Sequence, residues 1–320
     1  MTDPAEQTVE GTRVDGVHVL GAISPSRAGE FKSCPLMYRY RTIDKLPEAP
    51  SSAAVRGSLV HQVLEDLFDL PAAERTPERA EELVPRAWEK LQAARPEAAE
   101  LLAQLDQDEE DWLAACRPLL ATYFDLEDPR RLEPAERELY VEALLDSKLL
   151  LRGVVDRIDI APDGAIRVVD YKTSSSPGEA YEATALFQMR FYALVLWRTR
   201  GVIPAMLRLV YLGNSEILSY VPDEQDLLAT QRQVEALWDA IREARRTGEW
   251  LPRRSPMCGW CSYKQHCSEF GGEILPLPEQ QPAESVDVQP GQGVDEDAAV
   301  TLEDRDVVRH HQDGAASSLG

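Results

Sequence analysis

Two short apolar runs joined by a turn constrain this chain more than any other feature. Leu149 to Ala161 reads LLLRGVVDRIDIA, and Ile166 to Thr173 reads IRVVDYKT. Both are rich in β-branched residues and have strand length. Asp163-Gly164 between them is a hairpin turn signal. A further run, Arg137 to Asp146, precedes them, so the three predict an antiparallel meander. Period two puts Val154, Asp156, Ile158 and Ile160 on one face of the second strand. It puts Ile166, Val168, Asp170 and Lys172 on one face of the third. Two carboxylates and a lysine then converge at one end of an apolar sheet face.

Burying such charges without partners costs several kcal/mol each. A divalent ion held between the aspartates removes that cost, and Mg²⁺ and Mn²⁺ favour oxygen ligands. Such an ion activates water and stabilises charge on a phosphodiester. Lys172 is placed to orient or deprotonate the water, or to stabilise the phosphate. On these residues alone, a structural Asp–Lys pair at a strand end is an equally good reading.

The rest of the chain divides by composition. Residues 1–20 read as a mobile leader without the basic start and apolar run of a signal peptide, which makes the cytoplasm the default compartment. Ser24-Pro25 marks a helix start. Gly57 to Leu70 has helical periodicity. Residues 72–135 form a helical insertion, punctuated by Pro85, Pro96 and Pro118. Glu179 to Arg200 and Asp223 to Arg246 are helical, with strands at 205–213 and 216–221 between them. Residues 271–320 lack apolar periodicity and carry eleven acidic against two basic residues, which predicts a disordered acidic tail. No stretch approaches the length of a membrane span. The net charge of −22 is unusual for a nucleic-acid binder, but the tail and the insertion carry most of it.

Five cysteines, an odd number, argue against a disulfide framework. Cys258, Cys261 and Cys267 form a C-x2-C-x5-C loop able to surround one metal centre. Cys34 is the candidate fourth ligand, with His266 as a possible stand-in, and four thiolates suit zinc as well as iron–sulfur. Cys116 reads as a plain buried thiol. Arg39, Arg41, Lys45, Arg56, Arg190, Arg198, Arg253, Arg254 and Lys264 are candidates for a strand-binding groove. Tyr38, Tyr40, Trp260 and Tyr263 are candidates for base stacking. A scattered surface over core aromatics explains these residues equally well.

Gly153 to Asp159 (GVVDRID) and Asp170 to Thr173 (DYKT) resemble two motifs of the RecB-like branch of the PD-(D/E)XK nucleases. GSLVHQVLE (57–65) and QMRFY (188–192) resemble two others, in the family's order. The resemblance spans about 22–270 and implies a mixed α/β (α+β), restriction-endonuclease-like fold for one domain at 21–270, with a central mixed sheet flanked by helices. It implies Mg²⁺ or Mn²⁺ on His61, Asp156, Asp170 and the Tyr171 carbonyl, with Lys172 as the catalytic lysine. It implies that Gln188 and Tyr192 position DNA. The one early cysteine with a late C-x2-C-x5-C resembles the iron–sulfur members, the AddB and CRISPR-adaptation types. That implies a [4Fe–4S] cluster on Cys34, Cys258, Cys261 and Cys267. The expected activity is hydrolysis of DNA, on single strands or ends, in repair or recombination. No G-x-x-x-x-G-K-[ST] occurs, so any helicase would be a separate partner. The rival expectation is a non-catalytic, cluster-stapled module that binds DNA or a helicase.

Overall fold

The fold is built around one long strand, β5 (Leu149–Ile160), seen here in a computed structural model. The structure describes residues 13–14, 17–48, 51–105, 108–176 and 179–277. The expected acidic tail falls outside them from residue 278 onward, as does most of the expected leader. Within the leader, β1 (Arg13–Val14) and β2 (Val17–His18) pair as a small antiparallel ladder.

β4 (Glu136–Leu144) runs antiparallel along nearly the whole of β5, from Glu136↔Ile158 to Leu144↔Leu150. The other side of β5 is shared by two strands. β3 (Gly21–Ile23) lies parallel to its beginning, and β6 (Ile166–Lys172) lies antiparallel to its end. β7 (Met206–Tyr211) then adds parallel to β6, and β8 (Glu216–Tyr220) antiparallel to β7. The result is a mixed six-stranded sheet. The expected antiparallel meander is β4-β5-β6, with its turn at Gly164, whose φ of +84° suits glycine.

Helices cover both faces. α1 (Pro25–Ser33), α2 (Pro35–Tyr38), α8 (Glu179–Arg200) and α9 (Glu224–Thr247) pack on one face, around Ile158, Val168, Leu207 and Leu209. α3 (Ser52–Leu67), α4 (Pro77–Ala94), α5 (Pro96–Leu105), α6 (Glu109–Ala114) and α7 (Arg117–Leu126) pack on the other, around Val169, Tyr171, Val210 and Leu212. Sequence-encoded caps start them. Ser24, Ser51 and Thr76 accept from the backbone N–H three residues on, and Asp223 forms a capping box with Asp226. Pro85 does not break the insertion as its sequence suggests, but lies inside α4. Its ring is on the exposed face, where the carbonyl it leaves unpaired meets water.

Between the β3 and β6 pairings, one side of β5 has no strand beside it. In this stretch Tyr192 from α8 and Pro25 from α1 pack over Gly153. A Cβ on Gly153 would meet Tyr192 Cε1 at 2.6 Å. Gly153→Ala therefore forces the Tyr192 ring aside and is expected to lower stability by about 1–3 kcal/mol. A denaturant midpoint equal to wild type would contradict this.

Candidate functional site

The site forms where β5 and β6 part. Their last backbone pair is Arg157↔Val169. Two more steps in that register would pair Tyr171 with Val155. Instead the strands diverge, and side chains take the freed backbone groups of Tyr171. Asp156 Oδ2 accepts its N–H at 2.7 Å, and His61 Nε2 lies 3.0 Å from its carbonyl oxygen. A carbonyl only accepts, so Nε2 carries a proton and Nδ1 is the ring nitrogen turned towards the acids. Nδ1 faces Asp156 Oδ2 at 3.5 Å and Glu138 Oε1 at 3.9 Å.

α3 delivers His61, since Ser51 starts the helix and Leu59, Val60, Val63 and Leu64 bury its apolar residues. β4 delivers Glu138, which the sequence did not single out. Its ladder to β5 is interrupted there, opposite Asp156, and the Glu138 backbone has φ of +42°. A non-glycine residue in that left-handed region is strained, a state common at functional sites. Among the described residues, His61, Glu138 and Asp156 are the one set of three or more histidine, cysteine or acidic residues whose ligand atoms lie within 4.8 Å of one another. They line a small cavity with Leu64, Glu65 and Tyr171.

Asp170 sits beside this set, buried, with Lys172 Nζ 2.6 Å from its Oδ2. Gln188 on α8 ties the pair together. Its amide NH₂ donates to Asp170 Oδ1 at 2.9 Å, and its carbonyl accepts from Lys172 at 2.9 Å. The same NH₂ donates to the Tyr192 hydroxyl at 3.1 Å. Gln188 and Tyr192, one turn apart on a helix, thus meet at the site, and Tyr192 is itself buried.

The electrostatics are those of crowded acids. Burial, then Asp156 and Glu65, pushes the Glu138 carboxyl up to about 9. Burial also pushes Asp156 up, to about 6, with Asp170 adding and His61 opposing. Burial works against the charge on Lys172, yet Asp170 and Asp156 outweigh it and hold the ammonium above its ordinary value. Lys172 is therefore a cation here and not a ready base. Carboxylates this close coexist only with protons or a cation among them. The imidazole and carboxylate donors suit a divalent cation, so the residues fit Mg²⁺ or Mn²⁺.

Folding retains protons on Glu138 and Asp156 that the unfolded chain releases near pH 4. Metal-free stability therefore falls as pH rises from about 4 towards 9. A divalent ion binds the deprotonated site, so its stabilising effect grows over the same range. Thermal melts in EDTA and in Mn²⁺ across that range test both slopes, and parallel curves would contradict the prediction.

The four cysteines expected to act together come from both ends of the domain. Cys34 follows α1, and its sulfur accepts the N–H of Arg253 at 3.4 Å. Burial raises the Cys267 thiol, and Cys34, Cys261 and Cys258 each raise it further, which puts all three near Cys267. No three of these sulfurs lie within 4.8 Å of one another. A zinc tetrahedron, with Zn–S near 2.3 Å, would hold them about 3.8 Å apart. Cys116 is buried apart from them, beside α7, and burial pushes its thiol up to about 11.

The proposed groove residues mostly have structural partners. Tyr38, Tyr40 and Tyr263 are buried. Arg39 pairs with Asp44, and Arg41 with Glu30 and Glu48. Arg56 stacks on Trp112, and Arg190 on Tyr220. Of the four aromatic candidates only Trp260 is exposed.

Among the described residues, no helix is long and apolar enough to cross a membrane. The chain is 23% identical over 288 residues to the Gene 69 protein of Mycobacterium phage L5, covering 77% of this chain and 96% of that one. It is 26% identical over 201 residues to the Gene 69 protein of Mycobacterium phage D29, covering 56% of this chain and 70% of that one. A candidate exonuclease from Eubacterium rectale, of known structure, aligns with a TM-score of 0.46 and 14% identity over 81% of this chain and 91% of its own. The model of the PD-(D/E)XK nuclease superfamily matches residues 22–268. That span contains every residue of the site and most of the chain, and the chain accordingly belongs to the PD-(D/E)XK nuclease superfamily.

Proposed function

We propose that this nuclease is a metal-dependent deoxyribonuclease of the RecB-like branch, acting on single strands or ends in DNA repair or recombination. The observation that carries the reading is the meeting of His61, Glu138, Asp156, Asp170 and Lys172 where β5 and β6 part. His61, Glu138, Asp156 and Asp170 would hold Mg²⁺ or Mn²⁺, within reach of the Tyr171 carbonyl. When bound, the ion supplies a more acidic water and a Lewis acid for the phosphodiester.

The chain's own groups do the rest. Lys172, held cationic by Asp170, stabilises negative charge on the phosphate as it is attacked. Gln188 fixes the Lys172 ammonium and the Asp170 carboxylate in one orientation. Tyr192 fixes Gln188 in turn, which makes both positioning residues for the groups that meet the DNA.

The four cysteines would staple the two ends of the domain through a [4Fe–4S] cluster. What supports a shared centre is the approach of the other three sulfurs to Cys267, whose thiol each of them raises. Anaerobically purified protein should be brown with broad visible absorption, and a colourless, zinc-loaded protein would overturn this part.

The domain reading keeps 21–270 as the nuclease unit, with a helical insertion and an acidic tail from 271. A separate helicase is a candidate partner. End-directed action is tested with linear and circular single-stranded DNA of the same sequence, in Mn²⁺. Degradation of the linear form alone is expected, and equal nicking of the circle would overturn it. No cleavage of either would favour the non-catalytic module.

A further inference from the structure

Trp260 is the most exposed of the large hydrophobic residues described, with 78% of its surface accessible. The other five tryptophans are buried or half-buried. The stretch Leu251 to Cys267 holds three basic residues, Arg253, Arg254 and Lys264, and no acidic one, in a chain of net charge −22. An indole facing water amid local positive charge is unusual in so acidic a protein.

The loop holds this arrangement firmly. Lys264 Nζ donates to the Gly259 carbonyl at 2.6 Å, beside Trp260. Arg254 and Lys264 both lie over the Phe270 ring, at 5.5 and 6.0 Å. Arg254 also pairs with Glu269 at 3.3 Å, an exposed contact that a phosphate can replace. The loop is also tied to the site. Arg253 donates to the Lys32 carbonyl at the end of α1, and Lys32 Nζ lies 5.1 Å over the Phe187 ring. The next residue, Gln188, holds the Asp170–Lys172 pair.

We infer that Trp260 is a base-stacking platform for single-stranded DNA, with Arg253, Arg254 and Lys264 holding the flanking phosphates and leading the strand towards α8. This rests on the nuclease reading for the identity of the strand. Every base has a π-face, so stacking on an exposed indole captures a strand without regard to sequence. Positive charge confined to this loop counters repulsion by the rest of the chain.

The test is binding of a fluorescein-labelled oligothymidylate to the full chain in EDTA. One stacked base is worth about 1–3 kcal/mol, so Trp260→Ala should weaken binding on the order of 5- to 100-fold. Trp260→Phe should recover most of that loss, which a collapsed loop would not do. Arg254→Gln should lower the slope of log affinity against log salt by roughly 0.7. Strand addition should quench tryptophan emission in wild type and far less in Trp260→Phe. Wild-type binding by Trp260→Ala, with cleavage by the parent protein intact, overturns the platform and leaves the nuclease standing. Binding that depends on Trp260, without cleavage in either metal, does the reverse. A protein that holds no strand, its indole free to serve another protein, overturns the inference.

Discussion

Lys172→Met is expected to lower cleavage by on the order of 10²–10³-fold or more, while divalent-ion binding persists. Lys172 lies outside the His61–Glu138–Asp156 donor set, and its ammonium competes with a metal for Asp170 and Asp156. Removing that charge takes away stabilisation of the attacked phosphate but leaves the ligands in place. Asp170→Ala, by contrast, should lose both ion binding and cleavage. Isothermal titration with Mn²⁺ beside a single-turnover assay separates the two variants. Equal loss of ion binding in both would mean that Lys172 only maintains the fold of the site. Full activity in Lys172→Met would remove it from the chemistry.

The second large effect is on stability. Arg157 lies in the same motif as Asp156, lines the same small cavity, and is almost completely buried. It forks onto Glu127 at 2.7 and 3.0 Å, contacts Asp159 at 3.1 Å, and donates to the Tyr171 hydroxyl. Glu127 closes α7 and is buried too, with Arg208 as a further partner at 3.4 Å. Arg157 therefore anchors the helical insertion to the strand whose carbonyl meets His61. Arg157→Met strands the Glu127 carboxylate in the interior, at a cost of about 3–5 kcal/mol. That should lower the melting temperature by roughly 10 °C or more. Adding Glu127→Met removes the stranded charge and should restore part of the loss, because replacing a whole buried ion pair by apolar groups is often close to neutral. A single variant that melts like wild type would contradict the anchor. A double variant worse than the sum would contradict its physical basis.

Much of the site was legible because it lies in regular elements. The hairpin turn at Asp163-Gly164 and the apolar runs beside it located Asp156, Asp170 and Lys172 on neighbouring strands. The helical period around His61, and the four-residue step from Gln188 to Tyr192, survived into α3 and α8. Glu138 was not legible. It lies in ERELYVEAL with two other glutamates, and only the register of β4 against β5 selects the one opposite Asp156. Strict period two also fails along β5. Val155 and Ile158 share one core though three residues apart, and the ladder to β4 is interrupted between them, at Asp156. Arg157 was not singled out either, because its partner Glu127 comes from a distant helix. The tyrosines offered for stacking are buried by the same ring that suggested the role. The Tyr40 hydroxyl reaches the His266 carbonyl at 2.6 Å, and that of Tyr263 reaches Glu48 at 3.3 Å. A tyrosine satisfies its hydroxyl locally and buries its ring, so composition alone cannot assign it to the surface.

The most direct measurement is cleavage of end-labelled single-stranded DNA by the purified chain in Mn²⁺ or Mg²⁺, in EDTA, and beside Asp170→Ala. Degradation that needs the divalent ion and disappears in the variant is the expected result. Cleavage that survives EDTA, or that Asp170→Ala retains in full, would contradict the assignment of the site.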